Sequence, residues 1–224
     1  MLDRNVASFE RANQKCETMT NPPRHLVQRE MILDAAMEIL EAEGPVNFRL
    51  QTLADKLGVT IPALYRHFRD RNNIIRSAYV AAFARETEAM ISLTTYLTDV
   101  AFSGETLLHL MVEQMSQLDS DNQKRQRLTR IETFATTAQD EHSATQVATL
   151  LNQMHEATTA AYAAWQQRGV FRREFNPAAF SIVTRSLLAG MIVWDKDESL
   201  DVPVDDVRQV IEHILRQFII VQPT

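Results

Sequence analysis

Tyr65, Arg66 and His67 stand side by side near the end of Leu50–Phe68, LQTLADKLGVTIPALYRHF, with no acidic residue after Asp55. A phenol, a guanidinium and an imidazole can all donate to phosphate oxygens, and a guanidinium can also fork onto a guanine edge. Ile61, Pro62 and Ala63 lie about one helical turn earlier and add apolar tips to the same segment. Together these side chains suit a groove lined by phosphates and base edges.

Such a surface needs a rigid mount, and the same run supplies one. Leu50, Leu53, Ala54 and Leu57 recur at helical spacing and predict a first short helix. Gly58 follows where the chain must turn and can take positive φ. Val59 plugs the angle between the helices. Thr60 is a suitable N-cap for a second helix, and Pro62 falls in its first turn, where a missing N–H does no harm. Leu64 and Phe68 point inward at i, i+4. The expectation is a helix-turn-helix that binds double-stranded DNA.

The overall charge of −6 argues against nucleic acid until it is divided by region. Residues 49–76 hold six Lys and Arg (Arg49, Lys56, Arg66, Arg69, Arg71 and Arg76) against Asp55 and Asp70, a net +4. From Glu86 onward, 11 basic residues face 19 acidic ones, a net −8. Local field rather than total charge steers a protein onto phosphates.

Ala, Leu, Met, Gln and Glu are plentiful, and Gly and Pro are sparse, which predicts an all-α fold. Residues 1–23 read as a polar leader ending in Asn21-Pro22-Pro23, residues 24–70 as the DNA-binding domain and residues 71–224 as a C-terminal helical bundle. Helix one is expected from about Leu26 to Ala42, stopped by Gly44-Pro45. A long helix starts near Asp70 and continues past Glu86. Further helices are expected over 105–118, 123–137, 143–168, 177–194 and 204–221. No secretory signal is apparent, and Cys16 has no partner for a disulfide. The apolar stretch Ala178–Trp194 is broken by Ser181, Thr184, Arg185 and Ser186, too short and polar for a comfortable span. A cytoplasmic protein without a membrane partner is the expectation.

Helix one, the Gly44 stop and the run LADKLGVTIPALYRHFRDR together resemble the tetracycline-repressor (TetR) family of transcriptional regulators. The resemblance covers about Arg24 to Phe83, and beyond that only the helical layout matches. It implies a homodimer that binds an operator through its first three helices. It also implies a small-molecule effector pocket in the C-terminal bundle whose occupancy releases the DNA. Carried over residue by residue, Tyr65 and His67 would bond backbone phosphates. Arg71 stands where the family usually has a phosphate-gripping lysine. Ile61 and Pro62 would approach base edges, with Arg66 and Gln51 as further base readers. Two departures stand out: Arg49 replaces a capping Thr or Ser, leaving Asn47 as a substitute cap, and Ala63 brings no hydroxyl.

Two heads are expected, because one recognition helix buries too little surface for specific binding. The last helices would join them through Phe180, Val183, Leu187, Leu188 and Met191 on one, and Val207, Val210, Ile211, Ile214 and Phe218 on the other. Candidate effector contacts are His109, Met111, Met115, Phe134, Met154, Tyr162 and Trp165, since methionine and aromatic side chains make adaptable apolar cavities. No cofactor is implied. His109 with Glu113, and His155 with Glu156, lack a third ligand for a metal. No nucleophile elbow, phosphate loop or metalloprotease helix suggests an enzyme. The alternatives to an effector-released repressor are an effector-independent DNA-binding dimer controlled by a protein partner and, further off, an enzyme on a helical scaffold.

Overall fold

The computed structural model describes residues 28–100, 103–115, 120–196 and 202–220. The chain divides into two compact units, residues 1–71 and 72–224. The leader 1–23, Arg24 and the first two residues of the expected helix one, 26 and 27, lie outside the described residues.

In the first unit, α1 (Arg29–Asn47) carries Ile32, Leu33, Ala36, Met37, Ile39 and Leu40 on its buried stripe. Its regular part ends where predicted. Gly44 swings to φ +74, and Pro45–Asn47 add one offset turn. α2 (Leu50–Leu57) buries Leu53 and Ala54, and α3 (Ile61–Leu64) buries Leu64. With Phe48 and Phe68 these side chains form a small apolar core. Each fully buried aliphatic or phenyl group there contributes roughly 1.5–3 kcal/mol. Gly58 takes φ +65, and the Gly58 and Val59 amides return to the Asp55 and Ala54 carbonyls at 3.1 and 3.0 Å. That is the left-handed closure that frees the chain to start α3.

α3 is shorter than expected. Four residues are regular helix, and Tyr65–His67 continue as hydrogen-bonded turns to Phe68. Thr60 is extended, as an N-cap should be, but only its carbonyl is used, by the Ala63 and Leu64 amides.

The second unit is a helical bundle. α4 (Arg71–Asp99) brings the chain into it, followed by α5 (Gly104–Met115), α6 (Asp121–Thr137), α7 (Glu141–Gln167), α8 (Pro177–Gly190), a short α9 (Ile192–Lys196) and α10 (Val204–Arg216). Capping explains the boundaries. Ser120 accepts from the Gln123 amide at 3.3 Å. Asp140 accepts from the Ser143 amide at 3.0 Å. Asn176 accepts from the Ala178 and Ala179 amides at 2.9 and 3.1 Å. Gly169 at φ +73 ends α7.

Two apolar clusters fill the bundle. One joins Leu107 and Leu108 of α5, Tyr162 and Trp165 of α7, Phe171, Phe180 of α8, and Ile211 and Leu215 of α10. The other joins Val80 and Phe83 of α4 to Val147 of α7, with Phe134, Leu150 and Leu151 packed against it. The predicted last helix stops at Arg216 rather than Val221. Beyond it Ile219 forms an antiparallel bridge with Phe171, with Arg172 N–H to the Phe218 carbonyl at 2.9 Å and Ile220 N–H to the Val170 carbonyl at 2.8 Å. The all-α class predicted from composition holds, with this bridge the single extended pairing among the described residues.

Candidate nucleic-acid interface

The first unit presents Pro62, Tyr65, Arg66 and His67 to solvent from α3 and its following turn, with Ile61 and Ala63 half-buried beside them. Leu64 and Phe68, both 3% exposed or less, anchor the same turn from within. The polar flank is therefore outward because the apolar flank is used. Tyr65 is 45% exposed, too much for a ring that merely packs on α1. Its phenol and the neighbouring guanidinium and imidazole stand as a group of donors on one short, firmly mounted turn.

Arg49 precedes α2, is exposed, and supplies no side-chain cap. Asn47 does not take over that cap. Its Nδ2 donates to the Glu43 carbonyl at 3.1 Å and so closes the end of α1 instead. Gln51 is exposed, but its Nε2 donates to Asp55 Oδ1 at 2.7 Å, one turn along the same helix. Any base contact by Gln51 must compete with that bond. Lys56 pairs with Glu38 of α1 at 2.7 Å. Arg29 places its guanidinium 5.0 Å from the Phe68 ring centroid.

Arg71 departs most from expectation. Its guanidinium turns inward, with Nε donating to the Phe48 carbonyl at 2.9 Å and Nη2 to those of Pro45 and Val46 at 2.7 and 3.2 Å. It also lies 5.7 Å from the Phe48 ring centroid. In this arrangement the guanidinium expected to grip phosphate clamps the α1–α2 connection. The chain between Gly44 and Arg49 leaves carbonyls that neither helix satisfies, and Arg71 takes up three of them.

In the second unit the expected effector contacts do not form one group. Tyr162 and Trp165 belong to the aromatic cluster, with ring centroids 5.5 Å apart, and Tyr162 stands 4.7 Å from Phe180. Burial raises the Tyr162 phenol above its ordinary pKa, opposed by a hydrogen bond with Thr184. Phe134 meets Phe83 edge-on at 5.7 Å, in the other cluster. Met154 is buried, Met111 packs against the aromatic cluster, and His109 is exposed on α5. The Met115 side chain lies outside the described residues.

The expected dimer face also divides. Phe180 and Ile211 are 6% exposed and belong to the core of this chain. Leu188, Met191, Val207 and Phe218 are half-buried against the same core. Val183 (62% exposed), Leu187 (45%), Val210 (61%) and Ile214 (41%) do face outward, joined by Ile182 and Val193, which sequence periodicity did not single out. Asp206, Gln209, Val210, His213 and Ile214 line a shallow hollow on α10. By length and composition alone Pro177–Trp194 is apolar enough to cross a membrane, closer to that limit than its polar residues suggested. In the fold it breaks at Met191 between α8 and α9.

Residues 32–78 match the model of the tetR family of bacterial regulatory proteins. No curated protein matches the sequence. Among solved structures, a putative transcriptional regulator from Saccharomonospora viridis in complex with choline superposes with a TM-score of 0.67 at 15% identity, covering 86% of this chain and 98% of that one. A putative TetR-family transcriptional regulator from Mesorhizobium loti gives 0.63 at 16% identity, covering 84% and 93%. The fatty acid degradation regulator FadR from Bacillus halodurans gives 0.56 at 14%, covering 88% and 96%. At these identities the structural likeness establishes the fold, and the match over 32–78 falls on the segment that displays Tyr65, Arg66 and His67. Residues 32–78 thus carry the N-terminal region of tetR-family regulatory proteins, and the chain as a whole shares its fold with solved transcriptional regulators along most of its length.

Proposed function

We propose that this protein is a transcriptional repressor that grips its operator as a homodimer and lets go when a small molecule enters the C-terminal unit. The observation that carries the reading is the exposed turn bearing Tyr65, Arg66 and His67, mounted on buried Leu64 and Phe68. Tyr65 and His67 contact backbone phosphates, Arg66 reaches a base edge or a phosphate, and Ile61, Pro62 and Ala63 approach bases.

Dimerisation is supported by the outward apolar residues of α8, α9 and α10. Ile182, Val183, Leu187, Val193, Val210 and Ile214 are all more than 40% exposed, more than a soluble chain ordinarily leaves uncovered on neighbouring helices. Two recognition turns then meet successive major grooves, about 34–36 Å apart. Response to a small molecule is supported by the choline complex of a regulator with the same fold.

The test is selection of genomic duplex fragments by the full chain, followed by anisotropy titration on selected and scrambled duplexes. A two-fold symmetric site bound at least about 10³-fold tighter than scrambled duplex is the expected result. Equal affinity for both overturns the proposal.

A further inference from the structure

Gln51 and Asp55 lie one turn apart on α2, both exposed, and the Gln51 Nε2 donates to Asp55 Oδ1 at 2.7 Å. An ionised carboxylate can only accept, so the amide must turn its nitrogen, and not Oε1, toward Asp55. The bond therefore sets which way the Gln51 amide faces. It competes with a base for one amide hydrogen only and leaves the second hydrogen and Oε1 for another partner.

An acid is poorly suited to this position on two counts. Asp55 falls in the last turn of α2, where the helix dipole disfavours negative charge. It also stands within residues 49–76, whose net charge of +4 suits phosphate, and a carboxylate there repels a duplex. The adjacent Lys56 pairs instead with Glu38 of α1, at 2.7 Å. An exposed bond between residues four apart on a helix stabilises it no more than the dipole penalty destabilises it. What the carboxylate does achieve is to hold a long, rotatable side chain in one orientation.

Base edges distinguish that orientation from its reverse. Adenine offers the N6 hydrogen and N7, a donor beside an acceptor, and meets an amide oxygen and hydrogen together. Guanine offers O6 and N7, two acceptors, and would set them against Oε1 and the Asp55 carboxylate.

We propose that Asp55 is a positioning residue for operator recognition, fixing the Gln51 amide so that Gln51 selects adenine over guanine at one base pair of each half-site. The proposal rests on the operator reading above and names one letter of the site. The same negative charge weakens binding to every duplex, so the pair sharpens discrimination while loosening overall grip.

The experiment uses the full chain and its selected duplex, with each base pair of the half-site replaced in turn by the other three, read by anisotropy beside a scrambled duplex. Gln51→Ala locates the base pair that Gln51 reads. The native chain is expected to prefer adenine over guanine there by roughly tenfold or more. Asp55→Ala is expected to lose most of that preference, at that base pair and no other, while binding scrambled duplex more tightly than the native chain does. Asp55→Glu, which keeps a carboxylate within reach, retains most of it. A merely structural Asp55 gives the opposite pattern, a loss shared by every duplex together with a lowered melting temperature, and that result overturns the proposal. So does a Gln51→Ala variant that alters no single base pair, a base other than adenine at the position it locates, or a full preference retained by Asp55→Ala. Equal binding of selected and scrambled duplexes by the native chain removes the operator reading and this inference with it. Sequence discrimination that survives Asp55→Ala unchanged removes this inference alone.

Discussion

Arg71 holds Phe48 twice, donating from Nε to its carbonyl at 2.9 Å while the guanidinium lies 5.7 Å from its ring centroid. The pair ties the first residue of α4 to the connection between α1 and α2, whose Pro45 and Val46 carbonyls take the remaining bonds. Arg71→Ala is expected to cost roughly 1.5–3 kcal/mol of the stability of the first unit, because hydrogen bonds to a charged group are lost together. Arg71→Lys recovers little, since an ammonium cannot fork across three carbonyls. Thermal melts and the salt dependence of duplex binding check this. A lowered melting temperature with an unchanged salt slope marks a clamp, whereas a slope reduced by about 1 marks a lost phosphate contact.

Tyr65 and Arg66 are adjacent yet should fail differently. Tyr65→Ala is expected to weaken selected and scrambled duplexes alike, as loss of a backbone contact does. Arg66→Ala should cost about 1–3 kcal/mol on the selected site and relax preference at one base pair. Titrations of both variants on single-mismatch duplexes decide it, and a uniform loss for Arg66→Ala removes its base-reading role.

Val183 and Val210 lie on different helices and both face outward. Val183→Asp combined with Val210→Asp is expected to yield a folded monomer, seen by light scattering alongside an unchanged helical signal. An undiminished dimer places the contact elsewhere.

Asp140 caps α7, and its acidity follows from that task. The Ser143 hydroxyl first, then the Ser143 amide, hold its carboxyl below the ordinary value of 3.8; burial opposes them, and Arg76 and His142 add smaller effects in the lowering direction. A folded-state value below the unfolded one contributes stability above the unfolded pKa and loses it as pH falls through the folded value. Asp140→Ala should lower the melting temperature at pH 7 by about 2–4 °C. Its difference from the native chain should begin to shrink near about pH 4, where the unfolded chain's carboxyl takes up its proton, and go on shrinking until the pH falls through the lower folded-state value.

Gly104 opens α5 against the C-terminal segment, where an added Cβ would sit 1.8 Å from the Ile220 carbonyl oxygen. Gly104→Ala is expected to cost about 1–3 kcal/mol, the range of an overpacked site, measurable by chemical denaturation. Gly190 has nothing within 4 Å of such a Cβ, so Gly190→Ala is the tolerated control.

Legibility in the sequence followed the range of the forces involved. Leu53, Ala54, Leu64 and Phe68 were readable as core and Gly58 as the turn because spacing and φ preference are local. The helices of the bundle were readable within a few residues for the same reason. What escaped was non-local. Nothing in the sequence near Arg71 says that it faces the Phe48 carbonyl, 23 residues back. Phe180 and Ile211 share their spacing with Val183 and Val210, and only the packed bundle decides which pair points inward. The Phe171–Ile219 bridge cut the last helix short because two distant segments found each other's amides.

The regular part of α3 is a single turn, four residues long. So small a probe can interrogate only a few base steps, and a genome holds many chance copies of so short a word. On the proposed dimeric reading, selectivity would then reside in the gap between two such words, and the separation of the two heads would be the quantity for an effector to alter.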